Sequence, residues 1–148
     1  MTSLSTRLSK DEYFLLIIKL AALRSTCARR QVAAIIVSED SHILSTGYNG
    51  VPRGFPHCTI EPCEGTMDKS GNTERCLAVH AEINALLQCM RLDLANTLYT
   101  SCSPCFACAK AIANTPITRV VCTEEYSDKR GKNILTQAGI KLIQKIKN

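Results

Sequence analysis

The chain has 148 residues, is 45% hydrophobic and carries a net charge of +5. That is enough apolar material for one compact domain with its own core, read here as residues 1–148. It excludes a membrane-spanning protein: the apolar piece from Tyr13 to Leu23 is short, is interrupted by Lys19 and follows no basic leader.

Ser9-Lys10-Asp11-Glu12 stands before an apolar pattern of helical period and predicts a capped amphipathic helix reaching Leu23. Val32 to Val37 is a continuous β-branched and alanine run, short enough for a buried strand. The polar turn Ser38-Glu39-Asp40-Ser41 then leads into a hairpin partner, Ile43 to Tyr48. Asn49 to Gly54 breaks regular structure, and an aperiodic polar segment follows from Phe55 to about Arg75. Ile83, Leu86, Leu87 and Met90 have helical spacing and predict a helix over His80 to Met90. A strand is expected at Thr97 to Thr100, and Pro104 opens a second helix running to about Asn114. Thr118 to Cys122 is another buried strand. Ile134, Leu135 and Ala138 predict a short helix that Gly139 ends before a last strand, Ile140 to Ile143. Alternating strands and helices imply a mixed sheet of about five strands with helices on both faces.

Nine cysteines are an odd number, and two of them sit in a metal-type spacing, which points to a reducing, cytoplasmic setting rather than a disulfide framework. The modest positive charge suits a phosphate-bearing partner and equally suits a solvated surface.

The chemistry concentrates in His80-Ala81-Glu82 and Pro104-Cys105-Phe106-Ala107-Cys108. One histidine and two cysteines leave the fourth tetrahedral position of a zinc ion open, the mark of a catalytic site. Glu82, two residues from His80, is free to act on water without binding the metal. Inside a regular helix His80 and Glu82 would point apart, so both face one metal only if His80 sits at the helix cap. Zinc in this setting activates water at neutral pH. Glu82 is then placed to carry a proton to a ring nitrogen and on to a leaving amine. A zinc staple, with Glu82 merely capping its helix, is the structural alternative.

The pairing of H-x-E with P-C-x-x-C is the signature of zinc deaminases. The chain resembles the cytidine deaminase superfamily and, within it, the deoxycytidylate deaminases. The finer likeness rests on Arg24-Ser25-Thr26-Cys27, Gly47 to Gly54, His57-Cys58 and Cys122 to Tyr126. The resemblance implies a three-layer α/β/α sandwich. It also implies catalytic Zn2+ on His80, Cys105 and Cys108, with Glu82 as the proton shuttle. The Ala81 N–H would hold the pyrimidine carbonyl, the Ser103 carbonyl would receive the amino group, Tyr126 would stack on the base and Asn49 would touch the sugar. Arg24, Arg29 and Arg30 are the candidates for the phosphate. It further implies dCMP as substrate and dUMP as a product that feeds thymidylate synthesis. Activation by dCTP and inhibition by dTTP, taken with Mg2+, would act at a loop holding Gly47, Tyr48, Asn49, Gly50 and Arg53; its glycines read equally as turn geometry. A homohexamer is the implied assembly.

The resemblance further allows a second, structural zinc on Cys27, Cys58, Cys63 and Cys76, while the residues by themselves favour free buried thiols. Cys89, Cys102 and Cys122 read as packing residues. A deaminase acting on a base within a nucleic acid would be expected to add an aromatic or basic strand-tracking surface, and aromatics here are 5% with no tryptophan. No nucleic-acid or membrane partner is therefore expected. A zinc-stabilised DNA-uptake or interaction module is the remaining alternative, disfavoured by the presence of Glu82.

Overall fold

The computed structural model describes residues 6–70 and 74–145. Helix α1 spans Lys10–Ala22 and begins as the sequence predicts. The Ser9 hydroxyl accepts from the Glu12 N–H at 3.2 Å, and the Glu12 carboxylate accepts from the Ser9 N–H at 2.8 Å. This reciprocal box satisfies two amides that the first turn would leave unpaired.

Strands β1 (Ala33–Ser38) and β2 (Ile43–Tyr48) form the predicted antiparallel hairpin. Strand β3 (Ala95–Cys102) pairs antiparallel with β1 and parallel with β4 (Arg119–Glu124), and β5 (Lys141–Gln144) lies parallel to β4. The resulting order is β2-β1-β3-β4-β5, a mixed sheet of five strands. Strand β3 runs two residues further at each end than Thr97–Thr100. Its polar flanks are accommodated by bonding: the Ser101 hydroxyl, for example, accepts from the Ala33 N–H at 3.0 Å.

The remaining helices are α2 (Glu64–Met67), α3 (Ala81–Leu87), α4 (Phe106–Ala113) and α5 (Arg130–Gln137). Helix α2 is a single turn, too short to show a period, inside the segment expected to be irregular. Helix α3 ends sooner than Met90, and Leu87 and Met90 are exposed rather than packed. Helix α5 starts at Arg130, ahead of Ile134; its polar first turn carries no apolar signal in the sequence. Gly139, at φ +73°, takes the left-handed turn after it, and Ile140 is a buried side chain just ahead of β5 rather than its first residue.

Two apolar layers sandwich the sheet. On one face Phe14, Leu15 and Ile18 of α1 pack on Ala33, Ile35, Val37, Tyr99 and Val121. On the other, Ala81 and Ala85 of α3, Ala109 and Ile112 of α4 and Leu135 of α5 pack on Ala34, Ile36, Leu98 and Val120. The period-two alternation of each strand thus feeds both layers. Helix α3 lies so close to β2 that a β-carbon on Gly47 would fall 2.4 Å from the Ala85 nitrogen and 2.5 Å from the Ala81 carbonyl oxygen. Gly47 therefore permits a close approach that fixes the start of α3.

Candidate active site

The starts of α3 and α4 meet over the end of β3. His80 is the N-cap of α3, with extended backbone at φ −66° and ψ 150°, and Cys105 is the N-cap of α4, at φ −67° and ψ 173°. The cap position frees His80 from helical spacing, so it and Glu82 face the same point. Because Cys105 is the cap, α4 begins at Phe106, two residues later than a start at Pro104 would give. Cys108 lies one turn further, and the sulfurs of Cys105 and Cys108 each stand 3.4 Å from His80 Nδ1. All three donor atoms fall within 4.8 Å of one another, and no other trio of His, Cys, Asp or Glu does so among the described residues.

That spacing suits zinc. With Zn–S of about 2.3 Å and Zn–N of about 2.0–2.1 Å, tetrahedral ligands stand roughly 3.5–3.8 Å apart. The donor set, two thiols and an imidazole, is also of the right softness. A hydrogen bond from the Cys108 thiol holds Cys105 down at about 4, while the same bond and burial push Cys108 up. A hydrogen bond with Cys105 raises His80 despite its partial burial.

Glu82 is buried at 5% exposure and takes no place in the trio. Burial raises its carboxyl above the usual range. Its two oxygens have different neighbours: Oε1 is 3.5 Å from the Thr100 hydroxyl and Oε2 is 3.7 Å from the Cys108 sulfur. His80, Cys105 and Glu82 line a cavity of about 320 Å³ together with Asn49, Ala81, Ser103 and Tyr126, with Cys108 buried behind them.

The family profile of the cytidine and deoxycytidylate deaminase zinc-binding region matches residues 8–124. The chain belongs to the cytidine and deoxycytidylate deaminase family. A deoxycytidylate deaminase of Mycobacterium phage D29 is 47% identical over 122 residues, covering 78% of this chain and 94% of that protein. One from Saccharomyces cerevisiae is 39% identical over 142 residues; the match covers 93% of this chain but only 45% of the longer yeast protein. The crystal structure of a dCMP deaminase from the cyanophage S-TIM5 in complex with dCMP and dUMP superposes with a TM-score of 0.75 at 27% identity. That match covers 95% of this chain and 100% of the phage chain.

Several other residues picked out for this deaminase fold gather at the same cavity. Ala81 is the first residue of α3, where no intrahelical acceptor claims its N–H. Ser103 is buried and its hydroxyl accepts from the Tyr126 N–H at 2.7 Å, so the β3 end positions the tyrosine. Asn49 is largely committed: its oxygen accepts from Ser25 Oγ at 2.5 Å and Val32 N at 2.9 Å, and its nitrogen donates to the Arg30 carbonyl at 2.7 Å. One amide hydrogen remains for a ligand. Arg29 and Arg30 line the cavity; Arg29 donates to the Gly65 carbonyl at 3.2 Å and Arg30 pairs with Glu124 at 2.6 Å. Arg24 is exposed and lies outside that lining, as does Arg53.

The glycines of the Gly47–Gly50 loop have packing reasons of their own. A β-carbon on Gly50 would meet the Thr26 hydroxyl at 2.3 Å, and Gly50 bridges to Val79 just ahead of His80. Tyr48 sits at the surface, and its carbonyl accepts from the Asn84 side chain at 2.8 Å. Among the remaining thiols, Cys27 and Cys76 line the cavity, and Cys63 Sγ lies 3.5 Å from the Thr66 hydroxyl. A hydrogen bond with Thr66, then one from the Leu77 backbone, lowers Cys63 to about 6. No three of these four sulfurs reach the mutual spacing of the His80 trio. Cys102, read as a packing residue, also lines the cavity. The alternation Leu98, Thr100, Cys102 along β3 carries that information once β3 is known to reach Cys102.

Proposed function

We propose that the protein hydrolyses dCMP to dUMP and ammonia. The observation that carries this is a three-ligand metal trio with one buried, uncoordinated carboxylate at the same cavity, Glu82. The names of the phage and yeast relatives support the substrate, as does the nucleotide pair in the S-TIM5 complex.

Zn2+ held by His80, Cys105 and Cys108 supplies the Lewis acidity that makes water nucleophilic at neutral pH. Glu82 takes one proton from the attacking water and delivers it to the ring nitrogen next to C4 as the C4–O bond forms. It then takes the second proton from the new C4 hydroxyl and passes it to the amine, so the C4–N bond breaks, a carbonyl is left at C4 and ammonia departs. The Ala81 N–H holds the pyrimidine carbonyl and the Ser103 carbonyl receives the amino group. Tyr126 stacks on the base, and Asn49 offers its remaining amide hydrogen to the sugar. Arg29 and Arg30 supply positive charge for the phosphate, guanidinium being suited to bidentate phosphate contact.

Finer features belong to the same reading: supply of dUMP to thymidylate synthesis in the cytoplasm, and control by dCTP and dTTP with Mg2+ through the loop that ends in Arg53. Assembly as a homohexamer belongs to it too; exposed apolar side chains such as Leu20, Leu23, Leu87 and Met90 support association. The catalytic zinc is one ion per chain, and a content of two would assign the Cys27, Cys58, Cys63 and Cys76 set to a second, structural zinc.

The test is ammonia release from dCMP, deoxycytidine and a short single strand, each alone, on protein of measured zinc content. dCMP should be preferred over deoxycytidine by about 2–5 kcal/mol in kcat/KM, the cost of a charged contact left without its partner. Equal kcat/KM for the two would move the chain to nucleoside chemistry, and turnover of the strand alone would move it to nucleic acid.

A further inference from the structure

Thr100 lies in the middle of the sheet and is fully buried at 0% exposure. Its register partners are Ala34 on β1 and Cys122 on β4, and it shares a face with Leu98, whose side chain belongs to the core beneath α3 and α4. Valine would fill such a position with the same shape and without a polar atom. A hydroxyl here costs desolvation unless it finds a partner. The partner it has is Oε1 of Glu82, at 3.5 Å, a contact made from the strand layer upward into the first turn of α3.

We infer that Thr100 is a positioning residue for the proton-carrying carboxylate. Its hydroxyl donates to Oε1 and fixes the side-chain rotamer, leaving Oε2 on the side of the metal trio to exchange protons with water and substrate. The asymmetry is visible in the geometry, since Oε2, not Oε1, stands 3.7 Å from Cys108 Sγ. A carboxylate that shuttles a proton between two sites has to keep one orientation through the cycle. One donor from the sheet beneath it is a direct way to hold it. At 3.5 Å the bond is long for a hydroxyl donor, and catalytic hydrogen bonds often tighten only when substrate is bound.

The inference rests on Glu82 being the proton carrier, so Glu82→Gln is measured beside it. Thr100→Val removes the hydroxyl and keeps the shape. Its kcat for dCMP should fall about tenfold or more, the size expected for a lost hydrogen bond to a charged group, with KM within twofold and zinc content unchanged. Thr100→Ser, which keeps the hydroxyl and drops the methyl, should recover most of kcat even if it is less stable. If Thr100→Val does not fold, Thr100→Ala takes its place against Thr100→Ser. A kcat within twofold of wild type in the variant without a hydroxyl would overturn the inference, and so would equal losses in the valine and serine variants. An active Glu82→Gln would instead overturn the mechanism itself.

Discussion

At the scale of single residues, the division of labour between ligands and shuttle makes one sharp prediction. Glu82→Gln should keep its fold and one zinc per chain, because Glu82 is no member of the ligand trio. It should lose about 10²–10⁴-fold or more in kcat, the usual contribution of a positioned acid–base group. Activity within tenfold of wild type would mean that another group moves the proton. The trio and Glu82 were legible in the sequence because each half of the motif is local: Glu82 follows His80 by two positions, and Cys108 follows Cys105 by three. Other members of the site were not. Thr100 reads as an ordinary β-former, and only the packing of α3 on the sheet brings Glu82 to it. Gly47 reads as a turn residue, although it lies in a strand and is small because α3 passes against it. Arg24 looked as good a phosphate ligand as Arg29 or Arg30, since nothing in a run of basic residues tells which of them turns toward a cavity.

Elements were more legible than their ends. All five strands and the capped first helix were expected, because short β-branched apolar runs bounded by turn residues and the Ser9 box are strong local signals. The differences fall where a helix end is set by something other than apolar period: by a cysteine acting as cap at Cys105, or by a polar first turn at Arg130. Helix α1 also shows how an element is secured by a contact that no local pattern reveals. Asp11 accepts from the Tyr99 hydroxyl at 2.8 Å and pairs with Arg119 at 3.0 Å, with Lys145 at 3.5 Å, tying α1 to β3, β4 and the end of β5. Burial pushes Asp11 up, but the hydrogen bonds from Tyr99 and Arg119 outweigh it and hold the carboxyl below its ordinary value. Burial and the bond to Asp11 push Tyr99 up to about 12, so its proton stays in place. A carboxyl lowered by folding adds stability above its unfolded value of about 3.9 and loses that stability as pH falls through the lower folded value. Asp11→Asn should therefore be less stable than wild type at pH 6 by about 1–3 kcal/mol. The gap should close as acid protonates Asp11 in the wild type. Denaturant unfolding of both proteins from pH 6 down to pH 2.5 checks this, and a gap that stays constant across the range would remove the charge of Asp11 from the account.

On the scale of the whole molecule, the sheet brings two helix starts together; of the loop read as a candidate effector site, Asn49 lines the cavity and Arg53 does not. Gly47 and Gly50 are accounted for by close packing on α3 and Thr26, so their presence alone no longer argues for a triphosphate site. What remains for regulation is Arg53, exposed and with the left-handed Gly54 at φ +89° beside it. The same packing gives the loop a route to the chemistry. Gly50 bridges to Val79, and Val79 immediately precedes His80, so a ligand that moved this loop would bear directly on the start of α3. Two nucleotides competing for one site near Arg53 and favouring opposite positions of the loop would then change activity in opposite directions. dCTP with Mg2+ should lower the dCMP concentration needed for half-maximal rate and dTTP should raise it, by about 5–150-fold for couplings of typical size. Arg53→Ala should weaken both responses and leave the curve without effector unchanged, since Arg53 does not line the cavity. Saturation curves for dCMP alone, with dCTP and with dTTP decide the matter on both proteins. Three superimposable wild-type curves would leave the loop as a packing device that sets His80, with no effector acting through it.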